Sequence, residues 1–213
     1  MDEHHVSVPR TARYYTIGPD PATARAIWFV LHGYGQLAGR FLRHFSNVAD
    51  GRTVVAPEAL SRFYLEGNAR DQVGASWMTR EDRLTEIDDY VQYLDAVYAA
   101  VTREHRPSEG IHVLGFSQGT ATACRWLTLG HARAERLILW GGEIPPDLDL
   151  ARSRERWKDT AVLFVVGDDD QFITPKVLAV HERRLHERGI GYRVERFEGG
   201  HEIRPEVLER ITA

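Results

Sequence analysis

Three groups of residues in the chain have the types and spacing of acyl-transfer chemistry. The first is Gly115-Phe116-Ser117-Gln118-Gly119, where an apolar run switches to small residues at helical spacing. A serine between glycines at a strand-to-helix turn has its Oγ pushed out above a sheet, and the glycines relieve the crowding where the backbone folds back. The amides at the start of the following helix add partial positive charge where an oxyanion would form. The alternative for Ser117 is an ordinary helix-capping serine.

A hydroxyl needs a base to become a nucleophile. Of the ten histidines, His201 in Phe-Glu-Gly-Gly-His follows the last expected strand on a Gly199-Gly200 turn, which suits a ring swung over a sheet edge. His105, His131, His181 and His186 lie on or beside expected helices with charged neighbours and read as solvent-facing. His4 and His5 sit near the start of the chain, and no matched cluster argues for a metal, so none is expected. The acid that orients the imidazole is sought among Asp168, Asp169 and Asp170, directly after an apolar run. Glu143, after the preceding strand, is the rival, and the order Ser, Asp, His favours the aspartates. In Val-Leu-His-Gly-Tyr-Gly-Gln, residues 30–36, glycines let backbone amides approach a ligand. One amide there and one from the residue after the nucleophile make an oxyanion hole, which assigns Tyr34 and Gln118 as donors. His32 reads as a residue that stabilises this loop.

The elements that carry these groups read as an α/β fold. Strands are expected over residues 13–17, 26–31, 53–56, 111–116, 136–140, 161–166 and 192–197, the last nearest an edge. Helical periodicity covers 39–48, 83–106, 118–129, 175–188 and 204–211. Such alternation argues for a mostly parallel sheet of about seven strands flanked by helices. Segments 57–76 and 141–160 read as irregular and follow strands, so they are expected at the edge of the sheet where ligands bind.

With 213 residues, 43% hydrophobic and 27% charged, the chain suits a single domain spanning 1–213. A net charge of −4 without a basic run argues against nucleic acid as a partner, and no apolar run is long enough to insert stably in a membrane. The N-terminal residues lack a signal-peptide pattern, and Cys124 has no partner for an internal disulfide; a soluble, cytoplasmic protein is the expectation.

The blocks Leu-His-Gly-Tyr-Gly, Ala-Pro-Glu-Ala-Leu with Trp77 following, Gly-Phe-Ser-Gln-Gly, Gly-Asp-Asp-Asp-Gln-Phe-Ile-Thr-Pro and Gly-Gly-His occur in order between Ala26 and His201. In these the sequence resembles the phospholipase/carboxylesterase family of α/β-hydrolases, which includes acyl-protein thioesterases and many small bacterial esterases. The resemblance implies the α/β-hydrolase fold and cofactor-free hydrolysis of carboxylic esters or thioesters by Ser117, His201 and an acid. Its Gly-Asp-X-Asp block selects Asp170. Thr174 stands where the family has proline, and Met78 and Thr79 depart from its Trp-Phe-Asp. Phe63, Tyr64, Trp77, Met78 and Phe172 are expected to line an acyl pocket. The stretch from Trp140 to Ala161 is too short for a separate cap domain, so a small-molecule ester with a short to medium acyl group fits best. A serine hydrolase of lactones or peptides and a noncatalytic binding module are the alternatives. A homodimer remains open, as does an acylated protein as partner.

Overall fold

In the computed structural model the described residues are 1–66, 72–103 and 107–212. Among these residues nine strands and six α-helices run in the order β1 Tyr14–Ile17, β2 Ala26–Leu31, α1 Ala38–Phe41, β3 Arg52–Pro57, β4 Ser61–Tyr64, β5 Val73–Ser76, α2 Arg83–Thr102, β6 Ile111–Phe116, α3 Gln118–Leu129, β7 Arg136–Trp140, α4 Leu150–Arg156, β8 Ala161–Gly167, α5 Pro175–Glu187, β9 Tyr192–Phe197 and α6 Pro205–Thr212. Seven strands form one sheet in the order β1-β3-β2-β6-β7-β8-β9, with β4 and β5 as a separate pair. Only β1 is antiparallel to its neighbour in the large sheet, and β9 closes its other edge as expected. This is the α/β-hydrolase arrangement.

The central strands are apolar throughout because both faces are covered. Along β2, Ile27, Phe29 and Leu31 join the packing beneath α2 and α3, while Ala26, Trp28 and Val30 point to the side of α1 and α6. Helix α2 buries Ile87, Tyr90, Val91, Leu94, Val97 and Val101 in a stripe. Cys124 is fully enclosed on α3, and burial pushes its thiol up to about 12.

Several expectations change. The segment 57–76 contains the β4–β5 pair, in which Ser61 opposes Ser76 and Tyr64 opposes Val73. Its strands are only four residues each, with Gly74 and Ala75 disfavouring extended structure, and tertiary contact organises them: β5 is docked on the loop after β2 through a bridge between Gln36 and Ala75. The segment 141–160 contains α4, started by Asp149, whose side chain accepts from the Ala151 and Arg152 amides. The helix expected over 39–48 is α-helical only to Phe41 and tightens to 3-10 geometry over Leu42–Phe45. Helix α2 ends at Thr102; the remainder of its expected span, including His105, reaches residues outside the described set.

His181 is buried against Phe164, with ring centroids 6.4 Å apart, and not solvent-facing, because its face of α5 packs on β8. His131 and His186 are exposed as expected. His112 packs against Trp28 with ring centroids 4.5 Å apart, and burial together with the Arg136 charge lowers its pKa to about 4. Burial lowers His181 and His32 in the same direction. All three therefore bind protons more readily in the unfolded chain, so stability falls as pH drops below the usual histidine range. The unfolding free energy from urea titrations is expected to decrease between pH 7 and 5, less steeply in His112→Asn than in wild type.

Candidate active site

Strand β6 ends at Phe116 and α3 begins at Gln118, so Ser117 alone makes the turn, at φ 55 and ψ −118. This is left-handed backbone that a residue with a Cβ enters only at a cost of about 1–3 kcal/mol. Neighbouring contacts hold it there. The Ser117 amide donates to the Trp140 carbonyl at 2.9 Å, and the Thr120 amide donates to the Ser117 carbonyl at 3.0 Å. A Cβ at Gly119 would overlap the Leu31 carbonyl, and one at Gly115 would overlap the Gly119 carbonyl. These glycines let α3 cross directly over the ends of β2 and β6.

Next along the sheet, β8 ends in the Gly167–Asp170 turn and β9 leads into Gly199–His201. The Asp170 carboxylate is 5% exposed at residue level and fully engaged. Its Oδ1 accepts from the Phe172 and Ile173 amides at 2.8 and 3.0 Å, and its Oδ2 lies 2.9 Å from His201 Nδ1. The imidazole sits between two rings, 5.0 Å from Phe116 and 4.7 Å from Phe172. Phe116 immediately precedes Ser117, so the ring packs on the strand that delivers the serine. The other candidate acids lie elsewhere: Asp168 pairs with Arg196 at 3.5 Å, Asp169 is exposed, and Glu143 approaches His181 at 3.6 Å. Asp170 is the acid brought to His201.

The loop after β2 is a turn in which the Gln36 amide donates to the Gly33 carbonyl at 3.3 Å. Gly35, at φ 73, takes the third position, as a type II turn demands. Tyr34 occupies the second position, whose amide such a turn does not use internally, and Gln118 supplies the first amide of α3, which no preceding turn satisfies. Beneath the loop, His32 Nε2 accepts from the Ala59 amide at 3.1 Å, so the proton is on Nδ1, which donates to the Gly33 carbonyl at 2.8 Å. A neutral ring is thus built into the loop, consistent with its lowered pKa.

Of the five residues expected to line a pocket, Phe172 (56% exposed) and Tyr64 (73%) reach the surface, and half-buried Phe63 packs against Tyr34 (62%) with ring centroids 5.1 Å apart. Met78 is partly buried, its sulfur accepting from Arg125 at 3.4 Å. Trp77 is 2% exposed; its indole N–H donates to the His32 carbonyl at 2.8 Å, so it supports the site from below. Sequence reasoning missed two polar side chains: Gln36, whose Oε1 accepts from the Gly33 amide at 2.8 Å, and the amide group of Gln118, bonded to residues 76–78. Gln36 closes a local turn on the amide three residues before it, and Gln118 reaches residues 40 to 42 positions away, so neither shows as a periodic pattern in the sequence. Glu3, His5 and Asp82 place one potential ligand atom each within 4.8 Å, all exposed, and include none of the residues above.

Residues 29–207 match the family described as "Serine hydrolase (FSH1)". No curated protein matches the chain by sequence. Among solved structures, the chain is similar to esterase PE8, with 22% identity over 95% of this chain and 97% of that one and a TM-score of 0.72. It is similar to Zea mays acyl-protein thioesterase 2 at 17% identity, covering 95% and 96%, with a TM-score of 0.72. A phospholipase/carboxylesterase from Dyadobacter fermentans DSM 18053 aligns at 17% identity over 98% of each chain, with a TM-score of 0.67.

The backbone at Ser117 has a measurable consequence. Ser117→Gly is expected to be more stable than Ser117→Ala by about 1 kcal/mol in urea unfolding, because glycine occupies positive φ without penalty.

Proposed function

The chain belongs to the serine hydrolase (FSH1) family, and we propose that it is a carboxylesterase cleaving short to medium acyl esters or thioesters through Ser117, His201 and Asp170. The observation that carries this reading is the 2.9 Å contact between Asp170 Oδ2 and His201 Nδ1, one residue's packing away from the Ser117 turn. With Nδ1 engaged by the carboxylate, Nε2 is the nitrogen that serves as base. Ser117 Oγ attacks the acyl carbonyl while its proton passes to Nε2, and the carbonyl electron pair becomes an oxyanion facing the Tyr34 and Gln118 amides. Collapse of this intermediate breaks the bond to the alcohol or thiol, which leaves with the proton from Nε2. Water then repeats the sequence on the acyl-enzyme, releasing the carboxylic acid and restoring Ser117. Asp170 stays ionised throughout and stabilises the imidazolium.

Residues 1–213 are read as a single catalytic domain. A single short helix, α4, lies between β7 and β8, which supports an open site and a small-molecule substrate. Tyr34 packs on Phe63 and Phe172 on His201, and these rings, with exposed Tyr64, are the surface assigned to an uncharged acyl group. The names of the similar structures, an esterase, an acyl-protein thioesterase and a phospholipase/carboxylesterase, support ester or thioester bonds as the target. A buried, unpaired Cys124 supports a cytoplasmic location, and no helix among the described residues is long and apolar enough to cross a membrane.

The test is turnover of p-nitrophenyl esters from acetate to decanoate. Wild type is expected to hydrolyse the shorter members and to be labelled by a fluorophosphonate; Ser117→Ala should lose labelling and at least about 1,000-fold in kcat/KM. Folded wild type that neither turns over any ester nor takes the label overturns the reading. Asp170→Asn is expected to lower kcat about 1,000- to 10,000-fold with KM little changed, since the amide favours the wrong imidazole tautomer.

A further inference from the structure

The two amides assigned to the oxyanion come from elements far apart in sequence, the loop after β2 and the start of α3. Their separation has to be held to a fraction of an ångström for both to reach one oxygen. The described structure joins them through a third piece, the end of β5 and the residues that follow it.

On one side, Ala75 is bonded to the loop in both directions: the Gly35 amide donates to the Ala75 carbonyl at 2.9 Å, and the Ala75 amide donates to the Gln36 carbonyl at 3.2 Å. The Trp77 indole reinforces this by donating to the His32 carbonyl at 2.8 Å. A Cβ at Gly74 would overlap the Gly35 carbonyl, so the two backbones approach too closely for a side chain there.

On the other side stands the side chain of Gln118. Its Oε1 accepts from the Trp77 amide at 3.1 Å, and its Nε2 donates to the Met78 carbonyl at 2.9 Å and the Ser76 hydroxyl at 3.1 Å. Ser76 Oγ also donates to the Met78 carbonyl at 2.9 Å. Both amide hydrogens of Gln118 are thereby used, on a strand end that is itself bonded to the Tyr34 loop. The side chain is a fork whose donor and acceptor halves each face the complementary backbone group, which a carboxylate, an alkyl chain or a shorter amide does not reproduce.

We infer that the Gln118 side chain is a positioning residue for the oxyanion hole: it locks α3 to the β5 end and so fixes the distance between its own backbone amide and that of Tyr34. The inference rests on the serine hydrolase mechanism proposed above. Gln118 thus acts twice, its backbone amide touching the substrate oxygen and its side chain setting where that amide stands relative to the other. Trp77 completes the same link from the loop side.

The effect belongs to the transition state, because the ground-state carbonyl carries little charge for the amides to stabilise. Gln118→Ala is expected to lower kcat about 10- to 100-fold on the best p-nitrophenyl ester with KM within about twofold. Gln118→Glu should lose more, because a carboxylate then faces the Met78 carbonyl without a donor. A trifluoromethyl ketone carrying the same acyl chain forms a serine adduct with a true oxyanion, and its affinity should weaken by the same factor as kcat. Trp77→Phe, which removes the indole donor to the His32 carbonyl and trims a buried ring packed against His32 and Tyr90, gives the same signature more weakly and serves where a Gln118 variant fails to fold. Folded variants of Gln118 and Trp77 with kcat within twofold of wild type overturn the inference. So does a loss carried by KM with unchanged trifluoromethyl ketone affinity. The reading beneath it fails separately: wild type inert to every ester and to the fluorophosphonate removes the serine mechanism itself.

Discussion

Helix α3 reaches the edge of the sheet because no Cβ stands between it and the strands it crosses. Gly119 lies on the Leu31 carbonyl, Gly115 on the Gly119 carbonyl, and Gly142 on the Ser117 carbonyl. Close approach of three backbones there forces the chain to reverse within one residue, which places Ser117 in left-handed geometry. The same crossing brings the first amide of α3 beside the loop that leaves β2. The Ser117 turn and the proposed amide cradle are therefore consequences of one packing contact, and the other candidate site residues are delivered by the ends of β8 and β9 at the same edge.

Charge inside the protein follows a consistent rule. Asp170 is buried, and its two oxygens receive two backbone amides and a histidine nitrogen, which balances the cost of removing a carboxylate from water. The buried His32 and His112, with no carboxylate at hydrogen-bond distance among the described residues, are held neutral by burial and serve as polar packing. The residue type alone says nothing of which role it fills. His201 differs in its partner and in its place at the C-terminal edge of the sheet.

Much of this organisation is legible in the amino-acid order. The β-branched and aromatic runs at 26–31, 111–116, 136–140 and 161–166 coincide with central strands because burial on both faces requires continuous apolar sequence. Asp170 is distinguishable from Asp168 and Asp169 only through the spacing of a family block, since three adjacent acids carry no local signal of which is buried. The β4–β5 pair is hidden because each strand is only four residues long and Gly74 and Ala75 disfavour extended structure, so tertiary contact and not local sequence defines it. Helix α4 is hidden by its length of seven residues, too short for a periodic pattern, and His181 by charged neighbours on α5 that face the other way. The links made by Gln36 and Gln118 escape notice for a different reason: glutamine reads as a generic polar residue until its partners are placed.

The enclosed Cys124 gives the chain a property unrelated to catalysis. It is the single thiol in 213 residues, and burial holds it in the unreactive protonated form. A maleimide or disulfide reagent therefore finds no target in the folded protein, and the native thiol becomes a built-in clock for opening of the core, because its modification follows the population of molecules in which α3 has come away from the sheet. A dye-bearing cysteine introduced on the rim reacts without background, so motions of the entrance can be followed with the interior left intact.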